Sequence, residues 1–160
     1  MPIQCTFSLN KKPMSVLQCE GVGDFAAFSG TDEVKNDPAA VAIPKVGPLP
    51  LGRYYIVDRG SGGLFTHILD RFADIMNKTE RQKWFALYRD DGSVDDWTFI
   101  NGVTRGLFRL HPSGRRNVSL GCITLADKAA FYRLRGHLLR TQLIAIPGGK
   151  GFAYGTVEVR

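Results

Sequence analysis

Histidine and cysteine are scarce in this chain: three of each among 160 residues. The cysteines are Cys5, Cys19 and Cys122, and the histidines His67, His111 and His137. No two cysteines stand in Cys-x-x-Cys spacing, which argues against a zinc site or a thioredoxin-type redox centre, so no metal and no cofactor are expected. Long apolar runs are missing as well. Nothing approaches the ~18 consecutive apolar residues of a membrane span, and no membrane insertion is expected. The opening residues, Met1-Pro2-Ile3-Gln4-Cys5-Thr6-Phe7, do not set a basic segment before an apolar stretch, so no cleaved secretory signal is expected. Basic residues outnumber acidic ones, giving a net charge of +6, but no run of five or more Lys/Arg occurs. Such scattered charge reads as a solvated surface and not as a nucleic-acid interface, although it would also attract an acidic polymer such as cell-wall peptides.

What is present is an ordinary globular composition, 44% hydrophobic and 22% charged, long enough to bury a core. Short apolar segments punctuated by Gly, Asn and Pro read as strands over residues 3–9, 14–19, 52–58, 84–89, 97–100, 106–111, 142–146 and 153–159. Helical spacing of apolar residues predicts a helix over 64–76. A second helix is expected to run to about Arg140, with Thr124 as its N-cap and Asp127 three residues on. Without repeats or linkers, residues 1–160 read as a single domain, mostly β (α+β) with two helices. If 3–9 and 14–19 form a hairpin centred on Lys12, Cys5 falls opposite Cys19, near enough to bridge in an oxidising compartment. Two small buried hydrophobes are the competing reading. Either way Cys122 is the odd thiol.

Cys122 lies in Ser119-Leu120-Gly121-Cys122-Ile123, and His111 ends a strand ten residues earlier. An ordinary thiol is only a few per cent ionised at neutral pH, so a cysteine nucleophile needs a base beside it. The polar turn 112–117 can bring His111 back to Cys122 as that base. Gly121 lets backbone approach the nucleophile, a peptide N–H of the turn suits an oxyanion, and the Ser119 hydroxyl orients the turn or a carbonyl. His67 and His137 read as surface residues. Trp84, Trp97 and Tyr88 read as core or cleft wall.

The element His111…Ser119-Leu120-Gly121-Cys122-Ile123 resembles the signature of L,D-transpeptidases of the YkuD type. Closer still is its resemblance to the small toxins of that fold delivered by type VI secretion systems. The residues that carry it are Phe25-Ala26-Ala27-Phe28-Ser29-Gly30, the segment Gly47-Pro48-Leu49-Pro50-Leu51-Gly52-Arg53-Tyr54-Tyr55-Ile56, Phe108-Arg109-Leu110-His111-Pro112, and Ser119 to Ile123. The resemblance implies an L,D-transpeptidase-like β-sandwich or barrel and a thioester mechanism on peptidoglycan stem peptides. Cys122 would attack the carbonyl of the L-centre of diaminopimelate and release D-alanine. Arg109 and Arg105 would hold stem-peptide carboxylates, with Ser113 and Tyr54 as further substrate contacts. Ser113 or a backbone carbonyl would orient His111. It further implies synthesis in the cytoplasm without a signal peptide, export by the type VI apparatus, action in a target cell's periplasm, and a cognate immunity protein. Leu120 stands where the wider family has histidine, which favours trimming and D-amino-acid exchange over crosslinking. A housekeeping crosslinking enzyme and a silent wall-binding module are the alternatives. A papain-like peptidase fits less well, because there Cys precedes His in the chain.

Overall fold

The computed structural model describes residues 1–59, 83–114 and 121–160. The helix expected over 64–76, and with it His67, lies outside the described residues, as do Ser119 and Leu120.

Eight strands close a barrel. They are β1 (Ile3–Phe7), β2 (Ser15–Cys19), β3 (Gly23–Phe28), β4 (Gly52–Asp58), β5 (Phe85–Arg89), β8 (Arg109–Pro112), β9 (Ile123–Leu125) and β12 (Gly155–Val159), in the order β1-β12-β4-β5-β8-β9-β3-β2. Two two-stranded ribbons stand outside it: β6 (Trp97–Ile100) with β7 (Val103–Gly106), and β10 (Ile144–Ala145) with β11 (Phe152–Ala153). The helix α1 (Lys128–Leu138) follows β9.

Alternation places the core. In β1, Ile3, Cys5 and Phe7 are buried, and β2 buries Ser15, Leu17 and Cys19. These apolar positions join Phe25, Tyr54, Ile56, Leu87, Leu110, Ile123, Leu125 and Val157 in one cluster. α1 closes it with Phe131, Leu134 and Leu138, spaced on one helical face. β4 is buried on both faces, because Tyr55 and Val57 pack outward into a second cluster with Ala86, Tyr88, Ile146 and Ala153.

Three expectations need revision. Thr124 does not cap the helix: it lies in β9, fully buried, and Asp127 is the N-cap, its side chain accepting from the Ala129 N–H at 3.1 Å. An extended Thr next to β-branched Ile123 pairs readily with β8, and the cap role passes to the next acid in the chain. The strand expected over 106–111 is broken at Leu107, whose φ of 58° turns the chain from β7 into β8. Trp97 is not in the core, since half of its surface is exposed on the β6–β7 ribbon. The N-terminal hairpin does form with Cys5 opposite Cys19, and the two are joined in a disulfide.

Candidate active site

β8 and β9 run parallel, with Leu110 beside Ile123 and His111 beside Thr124. Side chains alternate along each strand, so Leu110 and Ile123 enter the core while Arg109, His111, Cys122 and Thr124 share the opposite face. Standard sheet spacings put the Cα atoms of Cys122 and His111 about 8 Å apart on the diagonal, within the combined reach of the two side chains. Both are buried, at 8% and 7% exposure.

The imidazole is held from three directions. Nδ1 lies 2.8 Å from the Pro112 carbonyl oxygen. A carbonyl only accepts, so Nδ1 carries the proton, and in the neutral ring Nε2 is left as the acceptor. Nε2 leans toward β9, 3.4 Å from the Thr124 hydroxyl. Trp84 stacks on the ring, centroids 4.4 Å apart and planes 22° from parallel, with the Arg59 guanidinium 5.8 Å from the indole centroid. Of the two orienting groups expected for His111, the backbone carbonyl takes the position. The Ser113 hydroxyl is 3.5 Å from the Gly114 carbonyl, while its N–H donates to Leu125 O at 2.7 Å and ties the end of β8 to β9.

The Cys122 thiol is pushed up to about 11 by burial. A main-chain hydrogen bond from Arg109 and the positive charges of Arg109 and Arg105 pull it down, and Asp96 pushes it up. The resting cysteine is therefore a neutral thiol at physiological pH. Gly121, just before it, has φ 82°, and a Cβ there would run into the Arg105 guanidinium and sit 3.1 Å from the Phe108 ring. Only glycine fits that turn.

The expected carboxylate-binding residues are otherwise engaged. Arg109 makes a two-pronged ion pair with Asp96, Nη1 to Oδ1 at 2.7 Å and Nη2 to Oδ2 at 2.9 Å. Arg105 is 4% exposed, and its guanidinium donates to the carbonyls of Val41 (2.6 Å), Pro48 (2.6 Å) and Gly47 (2.9 Å). Tyr54, expected to touch substrate, is wholly buried in the barrel, where its hydroxyl donates to Pro50 O at 2.8 Å. An aromatic at an inward β4 position fills the core, and its hydroxyl needs a partner there.

Sequence reasoning read Trp84 as core or cleft wall and Thr124 as a helix cap, without placing either against His111, and it passed over Asp96. Trp84 and Thr124 carried faint signals, one at the start of a predicted strand and the other two positions after the cysteine. Asp96 carried none, because it reaches Arg109 only through the β6–β7 ribbon.

The described residues define a β-barrel with a buried Cys–His face on adjacent parallel strands. A model of the Tlde1 domain matches residues 23–149, which takes in β3 through α1 and both Cys122 and His111. The chain belongs to the Tlde1-domain family, effectors of type VI secretion that target peptidoglycan. No curated protein matches the chain.

Proposed function

We propose that the protein is a cysteine L,D-carboxypeptidase of peptidoglycan stem peptides, which trims tetrapeptides to tripeptides and exchanges the terminal D-alanine for other D-amino acids. The observation that carries this reading is the shared face of Cys122 and His111, with the imidazole tautomer fixed by the Pro112 carbonyl so that Nε2 is the acceptor. A neutral buried thiol that shares a face with an imidazole suits proton transfer during attack.

In the first step Cys122 Sγ attacks the carbonyl of the L-centre of diaminopimelate, and the thiol proton passes to His111 Nε2. The C–N bond to D-alanine breaks, the proton goes to the departing amine, and a thioester remains. Water then attacks the thioester with His111 as base, giving the tripeptide carboxyl group and regenerating the thiol. A D-amino acid in place of water gives exchange. Gly121 shapes the turn whose peptide N–H receives the oxyanion, and the Ser119 hydroxyl is proposed to orient a substrate carbonyl. Leu120, in place of the wider family's histidine, favours water and free amino acids over a second stem as acceptor. The Cys5–Cys19 disulfide suits an oxidising periplasm as the place of action. Synthesis in the cytoplasm, type VI export and a neighbouring immunity protein complete the reading.

Mass analysis of purified muropeptides incubated with the protein, with and without a free D-amino acid, separates the three outcomes. Tripeptides, and exchanged tetrapeptides when the amino acid is added, are expected. Crosslinked dimers as the main product would replace this reading with the transpeptidase one.

A further inference from the structure

The buried cation beside the nucleophile is Arg105, and its surroundings do not suit a residue waiting for substrate. It stands on the inward face of the β6–β7 ribbon, across from Thr98, and is 4% exposed. Three of its N–H groups are spent on the carbonyls of Val41, Gly47 and Pro48. Those acceptors are neutral dipoles, so the guanidinium keeps its full charge. Its aliphatic end and plane are braced by the Phe108 ring, 5.3 Å from the guanidinium carbon. The guanidinium also fills the space where a Cβ on Gly121 would go, which brings it against the residue that precedes Cys122. Arg109, the other arginine near the thiol, is matched by a carboxylate in its bidentate pair with Asp96.

The charged and titratable groups facing Cys122 among the described residues are thus Arg105 from β7, Arg109 and His111 from β8, and Asp96 just before β6. Arg109 favours the ionised thiol through a main-chain hydrogen bond as well as its charge, and Asp96 opposes it. In the proposed reaction His111 receives the thiol proton. Arg105 adds a second positive charge near the thiol, held on backbone carbonyls and not on a carboxylate.

We infer that Arg105 is a positioning residue for the Cys122 reaction: a fixed buried cation, held by the carbonyls of the 41–48 loop, that stabilises negative charge at the nucleophile and does not bind substrate carboxylates. The inference rests on Cys122 being the nucleophile. A cation within ~4–6 Å of an ionising group shifts it toward the charged form by about one unit or more in a partly buried setting. The same guanidinium fastens the loop carrying Gly47-Pro48 to the turn at Gly121, so nucleophile and loop keep one relative position.

The test is the rate of alkylation of Cys122 by iodoacetamide between pH 7 and pH 10 in the disulfide-intact protein, for wild type, Arg105→Gln and Arg105→Lys. This measures thiol ionisation without any stem peptide, so it stands even if the peptidoglycan reading fails. For Arg105→Gln that still shows a cooperative thermal transition, about tenfold slower alkylation at each pH is expected. Arg105→Lys, which keeps the charge, should stay within about threefold of wild type. An unchanged profile in folded Arg105→Gln would overturn the inference. If Arg105→Gln does not fold, Arg105→Lys decides through steady-state trimming. A positioning cation predicts a KM within about threefold of wild type, whereas a KM raised tenfold or more with an unchanged alkylation profile is the mark of a lost carboxylate clamp.

Discussion

A thiol at about 11 that is 8% exposed has consequences for stability as well as for chemistry. Its folded-state value lies above that of an unfolded cysteine, near 8.5. Below that value both states hold the proton and Cys122 adds no pH dependence. As pH rises from about 8.5 toward 11 the unfolded chain releases the proton first, so stability is lost, by roughly 3 kcal/mol across the window. Urea unfolding of wild type and Cys122→Ala at pH 7 and pH 10 checks the sign: the wild type should lose more stability between the two than the variant, and a larger loss in the variant would contradict the burial argument. Trp84 invites a second measurement. If its flat face holds the imidazole, Trp84→Phe should keep kcat within about threefold and Trp84→Leu should lower it about tenfold, or about 1.4 kcal/mol. Equal effects of the two substitutions would remove stacking as the cause. That Cys122 and His111 come to one face could be anticipated in the sequence, because His111 ends a strand and a short polar turn leads back to Cys122. Thr124 and Asp96 could not, because a threonine two positions after the cysteine scores equally as a cap, and an aspartate that pairs across a ribbon leaves no local trace.

Elements explain why certain motif residues belong together. Ser29 and Gly30 do no chemistry: the Ser29 hydroxyl accepts from the Leu49 N–H at 2.8 Å, and the Thr31 N–H donates to Val46 O at 2.9 Å. Gly30, at φ 88°, lets the backbone of Pro48 approach to where a Cβ would lie 3.0 Å from its nitrogen. The end of β3 thus clamps the 41–48 loop, and that loop's carbonyls hold Arg105 beside the turn at Gly121. Gly121→Ala should break the chain of contacts at its far end. The left-handed φ alone costs about 1–2 kcal/mol, and the added methyl meets Arg105 and Phe108, so thermal unfolding should show a loss of about 2 kcal/mol or more. A neutral effect on both melting and activity would mean the turn relaxes freely. The hairpin of β1 and β2 was legible down to its register, because two alternating segments about a short polar turn leave few ways to pair, and Cys5 stands opposite Cys19. With 14 residues of separation, removing the disulfide as Cys5→Ala/Cys19→Ala should cost about 3 kcal/mol. Dithiothreitol should lower the melting temperature of wild type and leave that of the double variant unmoved; equal melting of the two oxidised proteins would count against a stabilising bridge.

At the scale of the whole molecule, a barrel with α1 packed against its core holds β8 and β9 as parallel neighbours, which puts His111 and Cys122 on one face. The mostly-β class could be read from segment lengths and turn residues. Closure could not, since the β1–β12 and β3–β9 pairings join segments far apart in sequence and no local pattern encodes them. Family membership and the disulfide together make compartment matter. Expression confined to the cytoplasm should be harmless and export to the periplasm toxic, and equal toxicity in both would point to a target other than the wall.

The central claim is that Cys122 carries the acyl group. Wild type and Cys122→Ala, matched by circular dichroism, should be mixed with purified tetrapeptide muropeptides and followed by released D-alanine and by intact-protein mass. The account predicts D-alanine and a transient acyl adduct on Cys122 for wild type, and neither for the variant; D-alanine released at the wild-type rate by Cys122→Ala would contradict it.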